Sequence, residues 1–167
     1  PHGIAEVGNW AGLPLAIGLL LLKLLVAGAG LAVLESLLAK MRIFRVPPFL
    51  LPIYQAAGVQ YGVRWEILAA INSIETDYGR NLNVSTAGAL GWMQFMPSTW
   101  AAYGEDGDGD GTKDPGDPVD AIFAAASYLK ASGAPKDLRG AVFAYNRSTA
   151  YVRDVLGRAS ALAAIPP

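Results

Sequence analysis

An all-α fold is predicted by three features of this 167-residue sequence. Apolar residues recur at helical spacing through most of residues 49–158. Cap and stop residues fall where such helices need them, most plainly at Asp117-Pro118-Val119-Asp120. No run of useful length alternates as a β-strand does. Two features complete the fold class. An apolar segment ahead of the helical domain is long enough for one transmembrane helix, and an acidic loop within the domain resembles an EF-hand loop.

Taken in order, residues 1–48 form the membrane segment and linker, 49–158 the helical domain and 159–167 a short apolar tail. Residues 13–38 carry only Lys23 and Glu35 as charges, and Leu13–Leu34 suffices to span a bilayer. The stretch is too long for a plain signal peptide and lacks its basic start and cleavage site. Because the chain begins with Pro rather than Met, its natural N-terminus is expected to lie further upstream. Pro47-Pro48 breaks the helix. A helix is then expected from Phe49 to Tyr61, closed by Gly62, and another over Arg64–Tyr78, closed by Gly79. Asn81–Trp92 reads as loop. Pro97 opens a short helix to Tyr103. Asp117 caps a helix to Ser132, Asp137 one to Tyr145, and Ser148 a last one to Leu156.

Composition narrows the function classes. Net charge is −1, and residues 49–167 hold nine Lys/Arg against twelve acids, with no basic stripe for nucleic acid. Without cysteine, disulfides and thiolate chemistry are excluded. The single His2 lies at the N-terminal edge, which argues against a histidine catalyst or zinc ligand. Lys40, Arg42 and Arg45 follow the apolar segment, while only Glu6 precedes it, so the positive-inside rule places the following domain in the cytoplasm. That orientation conflicts with the location implied by a family resemblance carried by residues 49–156.

Chemistry is expected to centre on Glu75. On a helix turning roughly 100° per residue, Ile67, Leu68, Ile71, Ile74 and Tyr78 share its face, while Glu66, Ser73 and Asp77 look outward. A carboxyl among apolar neighbours keeps its proton to higher pH, as a general acid near neutrality must. The competing reading is a structural Glu held by an Arg or a hydrogen bond. Beyond it, Gly88 and Gly91 let the backbone approach a ligand, and Gln94 offers a donor and an acceptor. Trp92, Phe95 and Trp100 could stack on sugar rings, although core packing suits at least two of them.

A third constellation is DGDGDGTKDPGDPVD at 106–120, with six acids in fifteen residues. Asp106, Asp108 and Asp110, then Gly111, match the opening of an EF-hand loop, and Thr112 falls where a backbone carbonyl coordinates. Either Asp117 or Asp120 could close it. Calcium suits this oxygen set better than magnesium.

Four stretches carry a family resemblance: IETDYGRN, then GALGWMQFMPSTWAAYG, then DGDGDG with DPVDAI, then AYNRS at 144–148. Together they resemble bacterial lytic murein transglycosylases of the goose-type lysozyme-like fold, in particular the membrane-bound B-type branch. Separately, LESLLAKMRIFRVPPFL (34–50) weakly resembles a membrane subunit of hydrogenase or NADH:quinone oxidoreductase complexes.

The transglycosylase resemblance implies cleavage of the β-1,4 bond between N-acetylmuramic acid and N-acetylglucosamine in peptidoglycan, leaving 1,6-anhydro ends. It makes Glu75 the single acid/base and places Ser85, Gln94, Met96, Tyr145 and Asn146 along the saccharide groove, with Tyr145 orienting Glu75 or the N-acetyl group. It assigns a structural calcium to Asp106, Asp108, Asp110, Thr112 and, favoured over Asp117, Asp120. A membrane-anchored monomer in the cell envelope follows, with no catalytic cofactor. A hydrolytic muramidase and a non-catalytic calcium-stabilised wall-binding module are the competing readings.

Overall fold

The computed structural model describes residues 13–43 and 46–164, with side chains over 17–33 and 46–164. It divides into two compact units at the Ile43/Phe44 boundary. The first contains α1 (Leu13–Ile43), whose described side chains are exposed, Lys23 among them. The expected membrane span of 13–38 reaches past those side chains. Among the described residues, no helix is long and apolar enough to cross a membrane. His2, Glu6 and the rest of residues 1–12 lie outside the description.

The second unit is built from α2 (Leu51–Tyr61), α3 (Trp65–Glu75), α4 (Pro97–Tyr103), α5 (Pro118–Ala131), α6 (Leu138–Tyr145) and α7 (Thr149–Ala163). Among the described residues the only strand-like pairing is an isolated bridge between Leu90 and Phe95. Apart from Gly79, which α3 does not reach, the signals that start and stop these helices act as expected. Gly62 closes α2 in the left-handed region at φ 69°. The Asp117 carboxylate accepts the Val119 and Asp120 N–H groups at the head of α5, and Asp137 accepts Gly140 N–H for α6.

Helix α3 is the hub. It packs against α2, α5 and α7, and Ile67 through Ser73 are all buried. Ser73 therefore does not face outward: α7 covers that side, and Arg158 Nη1 donates to Ser73 Oγ at 3.0 Å. The helix is also shorter than expected. It ends at Glu75, and Asp77 and Tyr78 turn into the left-handed region at φ 50° and 59°. The Thr76 hydroxyl bonding back into the structure beneath, with Asn81 N–H on Thr76 O, draws the chain off the helical path. Helix α7 in turn runs past Leu156, because Val155, Ala159 and Leu162 continue its apolar face into the core.

Candidate active site

Glu75 is the last residue of α3, partly buried, and its Oε1 accepts the Tyr151 hydroxyl from α7 at 2.5 Å. Burial pushes its carboxyl above the ordinary glutamate range, and the Tyr151 bond pulls only partly against that. The end of a helix also disfavours negative charge, since the last carbonyls point their oxygens there. Among the described residues no guanidinium clamps the carboxylate, the ion pairs being Arg64–Glu66, Arg80–Asp77 and Arg153–Asp154. Asp77 is exposed and held by Arg80 at 3.1 Å.

Tyr151 is a residue the sequence reading missed, and it takes a role given there to Tyr145. The Tyr145 hydroxyl donates instead to Met93 O at 2.7 Å. Its ring lies nearly parallel to that of Tyr151, with centroids 6.5 Å apart. Glu75 is thereby joined, through Tyr151 and Tyr145, to the wall of a cleft of about 260 Å³. That cleft is lined by Gln94, Phe95, Met96, Thr99, Tyr145 and Arg147, among others. Tyr151 lies in the first turn of α7, where only that helix's packing on α3 carries its hydroxyl to Glu75, so nothing in the local sequence marks it.

The floor of the cleft is the turn Leu90–Met96. Gly91 is left-handed at φ 71°, and a Cβ there would lie 1.8 Å from Pro115 O, so only glycine fits. Gln94 is also left-handed, at φ 49°, and its Nε2 donates to Gly91 O at 3.0 Å. Met96 is 42 % exposed at the head of α4. Ser85 Oγ accepts Ala89 N–H at 2.9 Å and shapes the approach to this turn. Asn146 is exposed where α6 ends. Of the three candidate stacking aromatics, Phe95 is buried and Trp92 and Trp100 pack partly against the core, as the bland reading had it.

In the acidic loop, carboxylate oxygens of Asp106, Asp108 and Asp120 lie within 4.8 Å of one another. Asp120 is buried, held by Gly107 N–H at 2.7 Å and Asp114 N–H at 2.9 Å. Asp117 is committed to capping α5, which leaves Asp120 as the inward acid. Asp110 lies outside that group, where it accepts the N–H of exposed Thr112. At Asp108 the Asp110 N–H pulls the carboxyl down, but partial desolvation and the charges of Asp110, Asp120 and Asp117 outweigh it and raise the group. Three hard carboxylates converging in this way fit a calcium ion.

Comparison with known proteins follows the same segment. Residues 80–142 match the family described as Transglycosylase SLT domain. Membrane-bound lytic murein transglycosylase B of Escherichia coli is 49 % identical over 70 residues, which are 42 % of this chain and 19 % of the relative. The chain thus matches about a fifth of that protein's length. Two solved structures share the fold at lower identity. The E. coli lytic transglycosylase Slt35 in complex with calcium is 20 % identical over 75 % of this chain and 78 % of its own, with a TM-score of 0.63. SltB3 from Pseudomonas aeruginosa in complex with NAG-anhNAM-pentapeptide is 19 % identical over 67 % and 60 %, with a TM-score of 0.61. Over the segment that matches, this chain is similar to the lytic transglycosylases, and its helical domain has their fold.

Proposed function

We propose that the chain is a lytic transglycosylase that cleaves the β-1,4 bond between N-acetylmuramic acid and N-acetylglucosamine and forms 1,6-anhydro ends. The observation that carries this reading is Glu75, a carboxyl whose hold on its proton is strengthened by burial and whose Oε1 accepts the hydroxyl of Tyr151, the ring stacked on the cleft-lining Tyr145. With Tyr151 donating to Oε1, Oε2 is the oxygen left to carry the acid proton, which passes to the glycosidic oxygen as the bond to C1 breaks. The resulting carboxylate then takes the proton from the muramic C6 hydroxyl while that oxygen closes on C1. Atoms balance without water. Ordinary glycosidases place a second carboxylate about 5–9 Å from the first; here Asp77 is exposed and engaged with Arg80. Stabilisation of the cation at C1 accordingly falls to the substrate's own N-acetyl group.

Gln94, Met96, Tyr145 and Asn146 line the saccharide groove in this reading, and Ser85 holds the approach to it. Asp106, Asp108 and Asp120 hold a structural calcium in this reading, with Asp110 and the Thr112 carbonyl turning inward to join them on binding. The solved structures of proteins with this fold, one in complex with calcium and one with an anhydro-muropeptide, support both assignments. The substrate class places the enzyme in the cell envelope. The exposed Leu, Ile and Val side chains of residues 17–33 supply an apolar surface by which α1 associates with the membrane.

Mass spectrometry of purified sacculi digested by the chain tests the reaction. Anhydro-muramyl ends are expected; reducing ends would make it a hydrolytic muramidase. Glu75→Gln should lose about 10²–10⁴ in turnover while keeping its fold. Unchanged properties in that variant would instead indicate a non-catalytic wall-binding module.

A further inference from the structure

We propose that Asn72 is a positioning residue for the glycan groove: its side-chain amide grips the Trp92 carbonyl and so fixes the turn that presents Gln94. The inference rests on reading the cleft as a glycan site. Asn72 is completely buried on α3, one turn before Glu75, where helix and core would both favour an apolar residue. Its bonding capacity is nevertheless used on every side. Tyr54 OH donates to Oδ1 at 2.6 Å, while Nδ2 donates to Trp92 O at 2.6 Å and to Thr76 Oγ1 at 3.1 Å. Thr76 Oγ1 donates to the same Trp92 carbonyl at 2.8 Å and accepts Gly79 N–H. Burial holds the Tyr54 hydroxyl protonated far above ordinary pH, so it stays a donor.

The turn needs such a grip. With Gly91 and Gln94 both left-handed, the carbonyls between them cannot join a helix or a ladder, yet buried carbonyls require partners. Trp92 O receives Asn72 and Thr76, and Met93 O receives Tyr145 OH. Asn72 and Thr76 flank Glu75 on one helix. The grip therefore fixes the distance between the acid and the cleft-facing Gln94 as a single rigid relation.

The test is the double variant Asn72→Leu/Tyr54→Phe, which removes the amide and the hydroxyl it would orphan while preserving an apolar fill and leaving Thr76 in place. Amide exchange in the folded protein should accelerate tenfold or more at Gln94 and Phe95, whose N–H groups bond Gly91 O and Leu90 O. Exchange at Leu68 and Leu129 should stay as it was. On soluble glycan strands KM should rise tenfold or more, with kcat within threefold of the parent. Unchanged exchange at the turn, uniform acceleration throughout the domain, or a loosened turn with unchanged KM would each overturn the proposal. If the parent chain itself leaves glycan uncut, the glycan reading fails on its own, and local exchange alone decides whether Asn72 holds the turn.

Discussion

Replacing Tyr151 by Phe isolates the single bond that aims Glu75. The hydroxyl reaches Glu75 Oε1 at 2.5 Å, and Tyr151 is only 8 % exposed, so water has little room to replace it. A hydrogen bond to an ionised group is worth about 1.5–3 kcal/mol, and one between neutral groups about 0.5–1.5 kcal/mol. The bond thus favours the carboxylate over the acid by roughly 1 kcal/mol, a factor of about five in proton affinity. As the proposed general acid, Glu75 must be protonated to donate, so kcat/KM falls as pH rises through its pKa. Loss of the donor makes the carboxyl hold its proton more tightly and moves that alkaline fall to higher pH. The plateau should drop as well, by roughly tenfold, because the acid is no longer aimed. The assay is kcat/KM on soluble glycan strands against pH, for the parent and for Tyr151→Phe. An alkaline limb that stays in place, or moves to lower pH, would refute the idea that this hydroxyl sets the acid's affinity.

Three further outcomes are expected. Burial raises the Glu75 pKa above its unfolded value of about 4.3, so ionisation destabilises the fold as pH rises from that value through the folded one. Glu75→Gln should therefore be more stable than the parent in urea at pH 7 and indistinguishable from it near pH 3; an equal advantage at both would contradict the burial argument. Gly91→Ala forces a Cβ into Pro115 O in a left-handed residue and should cost about 2–4 kcal/mol in urea denaturation, whereas a loss below 1 kcal/mol would mean the turn yields freely. Calcium should raise the melting temperature, by the equivalent of about 2.7 kcal/mol at a hundredfold excess over Kd, and a chelator should reverse it. Asp108→Asn, at an exposed position, should weaken that response; a melting curve indifferent to calcium would exclude the site.

What the sequence disclosed is what local chemistry governs. Caps such as Asp117 and Asp137 and stops such as Gly62 act on their own neighbours, and they placed most helix ends within a few residues. Glu75 stood out because an acid on an apolar face is conspicuous by periodicity alone. The errors came where distant segments decide. Ser73 is covered by α7, which no helical wheel of α3 can register. The end of α3 is set by Thr76 bonding to a carbonyl sixteen residues on. Tyr151 was missed as the partner of Glu75, because only the packing of α7 on α3 brings its hydroxyl to that carboxylate, while Tyr145 bonds Met93 O instead. Asn72 was invisible for the same reason. In sequence it is a middling helix residue, and its burial depends on α2 and the cleft turn meeting over it.

The position of the Leu90–Met96 turn ties these pieces into one mechanism. A non-glycine residue at φ 49° costs about 1–2 kcal/mol, so Gln94 keeps that backbone only where its surroundings over-determine it. They do so from three directions. Helix α3 holds Trp92 O through Asn72 and Thr76, α6 holds Met93 O through Tyr145, and the acidic loop holds Trp92 N–H through Pro115 O at 3.0 Å. The first of these carries Glu75, the second abuts the Tyr151 that bonds it, and the third belongs to the loop where the Asp106, Asp108 and Asp120 carboxylates converge. Pro115 meets the turn at the point where Gly91 leaves no slack for a side chain, so an ion in the loop would be coupled to the cleft floor there. On the proposed function, a strained glutamine anchored to the helix of Glu75 is a geometry that the binding energy of a glycan would exploit, because the substrate would meet a floor already in place.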